Sequence, residues 1–212
     1  MTSLYQNIYD EPAVAADTLE HLGPLRGLAG TWQSEQGIDI SPKAEGPERK
    51  TYIEHVRFEV IDAQANGPQL LYGLRYHIHI NNPEEKITFH DQVGYWLWEP
   101  ATGLLLQSVT IPRGQALLAA GKAHKDDTQF VVEAVRGETA YGIVSNSFLE
   151  EAFRTDRYRC AVTILDQNHW SYEINTTLMI KGQSTAFDHS DTNTLTRIAG
   201  PEKNPLALMS ED

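Results

Sequence analysis

Apolar residues recur at every second position through segment after segment of this chain, a period that confines it to antiparallel β-structure. Tyr52, Val56, Phe58 and Val60 alternate with Ile53, His55, Arg57 and Glu59. Leu70, Tyr72, Leu74, Tyr76, Ile78 and Ile80 alternate with Leu71, Gly73, Arg75, His77 and His79. The pattern returns where Tyr158, Cys160, Val162 and Ile164 oppose Arg157, Arg159 and Thr163. It returns again where Trp170, Tyr172, Ile174 and Leu178 oppose Ser171, Glu173 and Asn175. Side chains alternate across a strand, so each run has one dry and one wet face. Turn-forming clusters separate the runs: Asn66-Gly67-Pro68, Asn81-Asn82-Pro83, Pro112-Arg113-Gly114 and Asp166-Gln167-Asn168 among them. The spacing predicts about ten strands.

Only two stretches read as helical. Asp17-Thr-Leu-Glu20 has the form of a capping box, with Gly23 and Pro24 stopping it early, and Ser147–Phe153 follows a cap at Asn146 or Ser147. There is no βαβ rhythm. Even-spaced strands build a sandwich or a barrel; closure is favoured because it removes edge strands, and because the inner face carries both aromatic and polar residues. The expected organisation is an arm at 1–16, a barrel at 17–199 and a tail at 200–212. Trp32, with Leu25 and Leu28 close by, is expected to anchor the capping helix to the first strand.

The chain has 212 residues, enough for one domain with a substantial core. Its net charge of −12 argues against nucleic acid and anionic membranes as partners. No secretory leader or spanning segment is evident, so a soluble cytoplasmic protein is expected. The single cysteine, Cys160, rules out an internal disulfide and lies in phase with Tyr158 and Val162, as a small buried residue would.

Few residues announce chemistry. His77 and His79 share a strand face at a spacing that can chelate a metal, but no third ligand is evident. His90 precedes Gly94-Tyr95-Trp96 and reads as a structural histidine or one that orients a ligand. Glu54 lies in phase with Tyr52 and Val56; buried, it would need a partner, for which Arg49, Arg57 and Arg75 are candidates. No nucleophile elbow, zinc-protease helix, phosphate loop or dinucleotide fingerprint is present. The residues by themselves lead to a β-barrel with room for an apolar ligand.

Five motifs in order carry a resemblance: GPLRGLAGTWQSEQG at 23–37, Tyr52-x-Glu54-x-x-x-Phe58, GPQLLYGLRY at 67–76, His90-x-x-x-Gly94-Tyr95, and TLMIKGQSTAFDHSDTNTLTRI at 177–198. Together they resemble the nitrobindin family. Ser34 and Gln36 stand where that family has glycines, and Ser41 to Lys50 reads as an insert. The resemblance implies an all-β, closed antiparallel barrel of lipocalin or fatty-acid-binding type, with a short helix over one end. It implies haem b as cofactor, with His189 as the axial iron ligand and Trp32, Ser41 and Tyr95 among the cofactor contacts. It also implies nitric oxide handling, or isomerisation of peroxynitrite to nitrate, which would make the protein a peroxynitrite isomerase-like enzyme. The alternative is a haem-free carrier of a fatty acid or other small hydrophobic ligand, with Arg113, Tyr76 and Tyr95 as candidate carboxylate partners. A metal enzyme built on His77 and His79 ranks last. A homodimer is an open alternative.

Overall fold

A computed structural model describes residues 7–84 and 87–209. Among these residues twelve strands form one sheet: β1 (Gly30–Lys43), β2 (Gly46–Val60), β3 (Gln64–Asn66), β4 (Gln69–Asn81), β5 (Thr88–Glu99), β6 (Leu104–Ile111), β7 (Gln115–Lys122), β8 (Gln129–Val135), β9 (Ile143–Ser145), β10 (Phe153–Ile164), β11 (His169–Ile180) and β12 (Phe187–Ala199). Ten of them pair antiparallel around a ring in the order β2-β1-β12-β11-β10-β8-β7-β6-β5-β4. The β2–β4 ladder, from Ile53↔Asn81 to Val60↔Leu74, closes that ring. Successive barrel strands are therefore neighbours, an up-and-down meander with no open edge. The short β3 extends β4, and β9 pairs with the start of β7.

The expected short helix over one end is present as two consecutive 3-10 helices, Leu19–His21 and Gly23–Leu28. Asp17 accepts from the Glu20 amide as a cap should, but the Glu20 carboxylate turns to Arg26, 2.7 Å away, so the capping box does not close. Gly23 has φ +54°, and a Cβ there would lie 2.5 Å from the Trp98 ring; only glycine lets the turn settle on the barrel floor. Leu22, Leu25 and Leu28 are fully buried beneath Trp32, Phe58, Trp98 and Trp170. Trp32 Nε1 donates to the Leu28 carbonyl at 2.7 Å, and the Arg197 guanidinium lies 4.0 Å from its ring centre. This end of the barrel is solid.

The opposite end is open, and two bulges decide what faces inward there. On β1 an extra residue falls between Ser34 and Gly37, so the buried face changes from Trp32 and Ser34 to Gly37, Asp39 and Ser41. Gly37 is required because the Tyr52 ring lies where a Cβ would stand, 2.0 Å away. On β5 Phe89 is the extra residue between Thr88 and His90, and both Phe89 and His90 reach the interior. The segment Ser41–Lys50 is a continuation of the β1–β2 hairpin, paired from Ser41↔Glu48 to Lys43↔Gly46, rather than an insert between strands. The helix α1 (Ser147–Ala152) stands at the same rim, with Asn146 accepting from the Leu149 amide at 3.0 Å. A second helix, α2 (Pro205–Met209), follows β12, and the buried Asn204 before it ties it to Thr18, Ala16 and Asp62. Among the described residues no helix is long and apolar enough to cross a membrane.

Candidate functional site

The upper half of the barrel encloses a cavity of about 630 Å³, within the range of small-molecule and cofactor sites. Its walls are mostly apolar, with Ile78, Ile80, Phe89, Val109, Ile174 and Leu178 facing across it. Lys43, Lys50 and Arg113 bring positive charge to its lining. The two lysines contact Glu48 at 3.5 and 3.4 Å, whereas Arg113 donates to the Phe89 carbonyl at 2.9 Å.

A polar layer separates the cavity from the solid end. Tyr52 and Tyr172 join hydroxyls at 2.8 Å, and Tyr172 donates to Glu54 at 2.7 Å. Asn193 Nδ2 donates to the same carboxylate oxygen at 2.6 Å, while Oε1 finds no partner among the described residues. Full burial pushes the Glu54 carboxyl up to about 7 despite these two donors. The expected arginine partners of Glu54 are absent from this layer: Arg57 and Arg75 lie on the outer wall and pair with Glu59 at 2.8 and 2.9 Å. Beside it Gln92 donates to Tyr76 at 2.7 Å, Tyr76 to the Ser108 carbonyl at 2.8 Å, and Tyr158 to Gln107 at 3.0 Å. Cys160 is buried close by, its thiol pushed up to about 12 by burial, which leaves it unreactive at neutral pH.

His189 stands on the cavity wall, on β12. Its Nε2 lies 2.6 Å from Asp39 and 3.6 Å from Asp191. Asp39 and Asp191 are direct cross-strand neighbours of β1 and β12, a like-charge pairing that is unfavourable unless relieved. His189 relieves it. Burial works against a charged imidazole, but its hydrogen bond to Asp39 and the charges of both carboxylates outweigh it and raise the His189 pKa. Burial would also raise Asp39, yet its hydrogen bonds with His189 and Ser41 hold it low. Asp191 goes the other way, raised by burial and by the charge of Asp39. His90, on the same cavity, is the electrical opposite: burial lowers its pKa, the nearby Arg113 charge adds to the effect, and the single hydrogen bond with Gln92 at 3.2 Å opposes it without prevailing.

The residues expected at a cofactor site are divided by the structure. His189 and Ser41 both line the cavity, Ser41 donating to Asp39 at 2.8 Å. Trp32 faces inward but is packed in the solid end, away from the cavity. Tyr95 is 44% exposed on the outer wall, since Gly94 and Trp96 take the inward positions of β5. Of the carboxylate partners considered for a carrier, Arg113 lines the cavity, Tyr76 is committed to Gln92 and Ser108, and Tyr95 lies outside. His90, read from the sequence as a structural histidine or one that orients a ligand, lines the cavity, whereas Asp39 and Asp191 carried no signal of their own. His90 was readable from its parity with Gln92 and Trp96; Asp39 was hidden by the β1 bulge.

A closed antiparallel barrel around an apolar chamber, with two imidazoles in its wall and cations about it, defines the class of cavity-bearing β-barrels. The sequence matches the model of the THAP4-like, heme-binding beta-barrel domain over residues 21–197. The chain belongs to that family, that of the nitrobindins. The crystal structure of Rv2717c from M. tuberculosis has the same fold: TM-score 0.57, 20% identity, covering 87% of this chain and 99% of that one. No curated protein sequence matches the chain.

Proposed function

We propose that this chain binds haem b in the upper cavity, with His189 as the protein ligand to iron. The observation that carries the reading is His189 itself: an imidazole on the wall of an apolar chamber, in a chain of a haem-binding family. The donor set suits the group. Asp39 holds Nε2 of His189 at 2.6 Å, a carboxylate contact of the kind that fixes the tautomer of a metal-binding histidine; iron would take Nδ1, or would take Nε2 in exchange for that contact. Arg113 and the rim lysines suit the haem propionates, and the apolar walls suit the macrocycle. Bound ferric haem would supply an iron centre for nitric oxide, or for isomerisation of peroxynitrite to nitrate. The chain's own contribution is to exclude water, to keep His90 neutral beside the chamber, and to accept the proton that His189 sheds on ligation into the Asp39–Asp191 pair.

A haem-free carrier of fatty acids would use the same walls and Arg113, but it has no use for His189. Titration of haem-free protein with haemin separates the two. The proposal expects saturation at one equivalent with a sharpened Soret band. Absence of a Soret change, with tight uptake of a fluorescent fatty acid, would establish the carrier instead.

A further inference from the structure

The outer wall of the barrel carries a second cluster, back to back with the cavity. On β4, His77 and His79 both point outward, and β5 brings Asp91 directly opposite His79. The third ligand that the sequence lacked is thus supplied by strand pairing. Asp91 Oδ2 lies 3.0 Å from His77 Nε2 and 3.5 Å from His79 Nδ1, and the three donor atoms fall within 4.8 Å of one another. Metal–nitrogen and metal–oxygen bonds of about 2.0–2.2 Å put tetrahedral ligand atoms roughly 3.3–3.5 Å apart, so the two distances bracket that spacing.

The cluster also has an outer layer of support. The second ring nitrogen of His79, Nε2, meets Thr88 Oγ1 at 3.2 Å, and Thr88 Oγ1 meets Asn81 Oδ1 at 3.4 Å. A histidine that ligates through one nitrogen and donates through the other is held in orientation and tautomer by such a partner. Of the nearby cations, Arg57, the register neighbour of His77, is engaged by Glu59 at 2.8 Å, and Arg75 is engaged by the same carboxylate at 2.9 Å. His55 occupies the register position beside His79 on β2, extending the row to a third strand.

We propose that His77, His79 and Asp91 form a binding site for a divalent first-row transition ion of the zinc class, open to water on its outer side. Two imidazoles and one carboxylate are ligands that zinc, nickel and copper accept, while calcium and magnesium call for oxygen-rich sets. The site is independent of the cavity and of haem, because all three donors face away from the chamber.

Calorimetric titration of tag-free, chelator-treated protein with zinc chloride tests it. The expected result is one saturable site, lost in a His77→Ala/His79→Ala double variant and weakened at least tenfold in Asp91→Asn. Thr88→Val should weaken binding by roughly tenfold, as outer-layer partners do. Because these positions are on the outer surface, the variants should keep the wild-type circular dichroism and denaturation midpoint. Asp39, His189 and Asp191 form the other group of potential ligands among the described residues, so His189→Ala serves as control and should bind zinc as the wild type does. The proposal is overturned if wild type takes up no zinc at one equivalent. It is equally overturned if the double variant binds as tightly as wild type, or if His189→Ala alone abolishes binding.

Discussion

Among the described residues no cation lies beside the Glu54 carboxyl, and its replacement by glutamine tests the reading of the polar layer. Its carboxyl is pushed from an ordinary 4.5 up to about 7 by burial. An acid whose pKa is higher folded than unfolded favours the fold while it is protonated. That contribution is whole below about pH 4.5 and is lost as pH rises through about 7. At 1.36 kcal/mol per pH unit it amounts to about 3 kcal/mol, of which about 2.5 kcal/mol is lost between pH 5 and 8.5. Glu54→Gln keeps the acceptor for Tyr172 and Asn193 and removes the titration. Urea denaturation of both haem-free proteins at pH 5 and 8.5 gives the difference of differences, in which the other titrating groups cancel. Wild type should lose about 2.5 kcal/mol more than the variant, roughly 1 M in the urea midpoint. Equal pH dependence in the two proteins would refute the reasoning and place water or a cation at Glu54.

Two further outcomes follow from the packing and charge of the barrel. Trp32→Ala removes a fully buried indole together with its Leu28 hydrogen bond and the Arg197 contact, so it should cost about 3–5 kcal/mol and lower the thermal midpoint by roughly 10 °C; a neutral effect by calorimetry would contradict the solid end described here. Because Asp39 helps to raise the His189 pKa above its ordinary 6.5 and a protonated imidazole cannot ligate, haem affinity should climb as pH rises through that raised pKa; Asp39→Asn should move the climb to lower pH, and a pH-titrated Soret signal unchanged by the substitution would count against the pair.

Much of the barrel was legible because β2, β4, β10 and β11 keep strict alternation, and their apolar columns meet only if the sheet closes. The capping turn was legible as apolar residues around Gly23-Pro24, though not as 3-10 structure. Less of the site could be read. The inward column of β12 runs Phe187, His189, Asp191, Asn193, Leu195, and its polar middle mimics an exposed loop. The bulge after Ser34 reverses parity, so Ile38 and Ile40 face out while Asp39 and Ser41 face in. Tyr95 and Trp32 sit in family-like motifs whose roles here are a wall exterior and a core plug. Asp91 joined His77 and His79 only through the β4–β5 register, which no local pattern encodes.

The central claim is that His189 ligates haem iron within the upper cavity. Haemin titration of wild type, His189→Ala and His90→Ala in parallel, followed at the Soret band, tests it most directly. The account predicts a one-equivalent complex in wild type, a complex with the same Soret maximum in His90→Ala, and loss of that band in His189→Ala with strand content intact by circular dichroism. A His189→Ala protein that binds haemin as tightly as wild type, with the same Soret maximum, would contradict it.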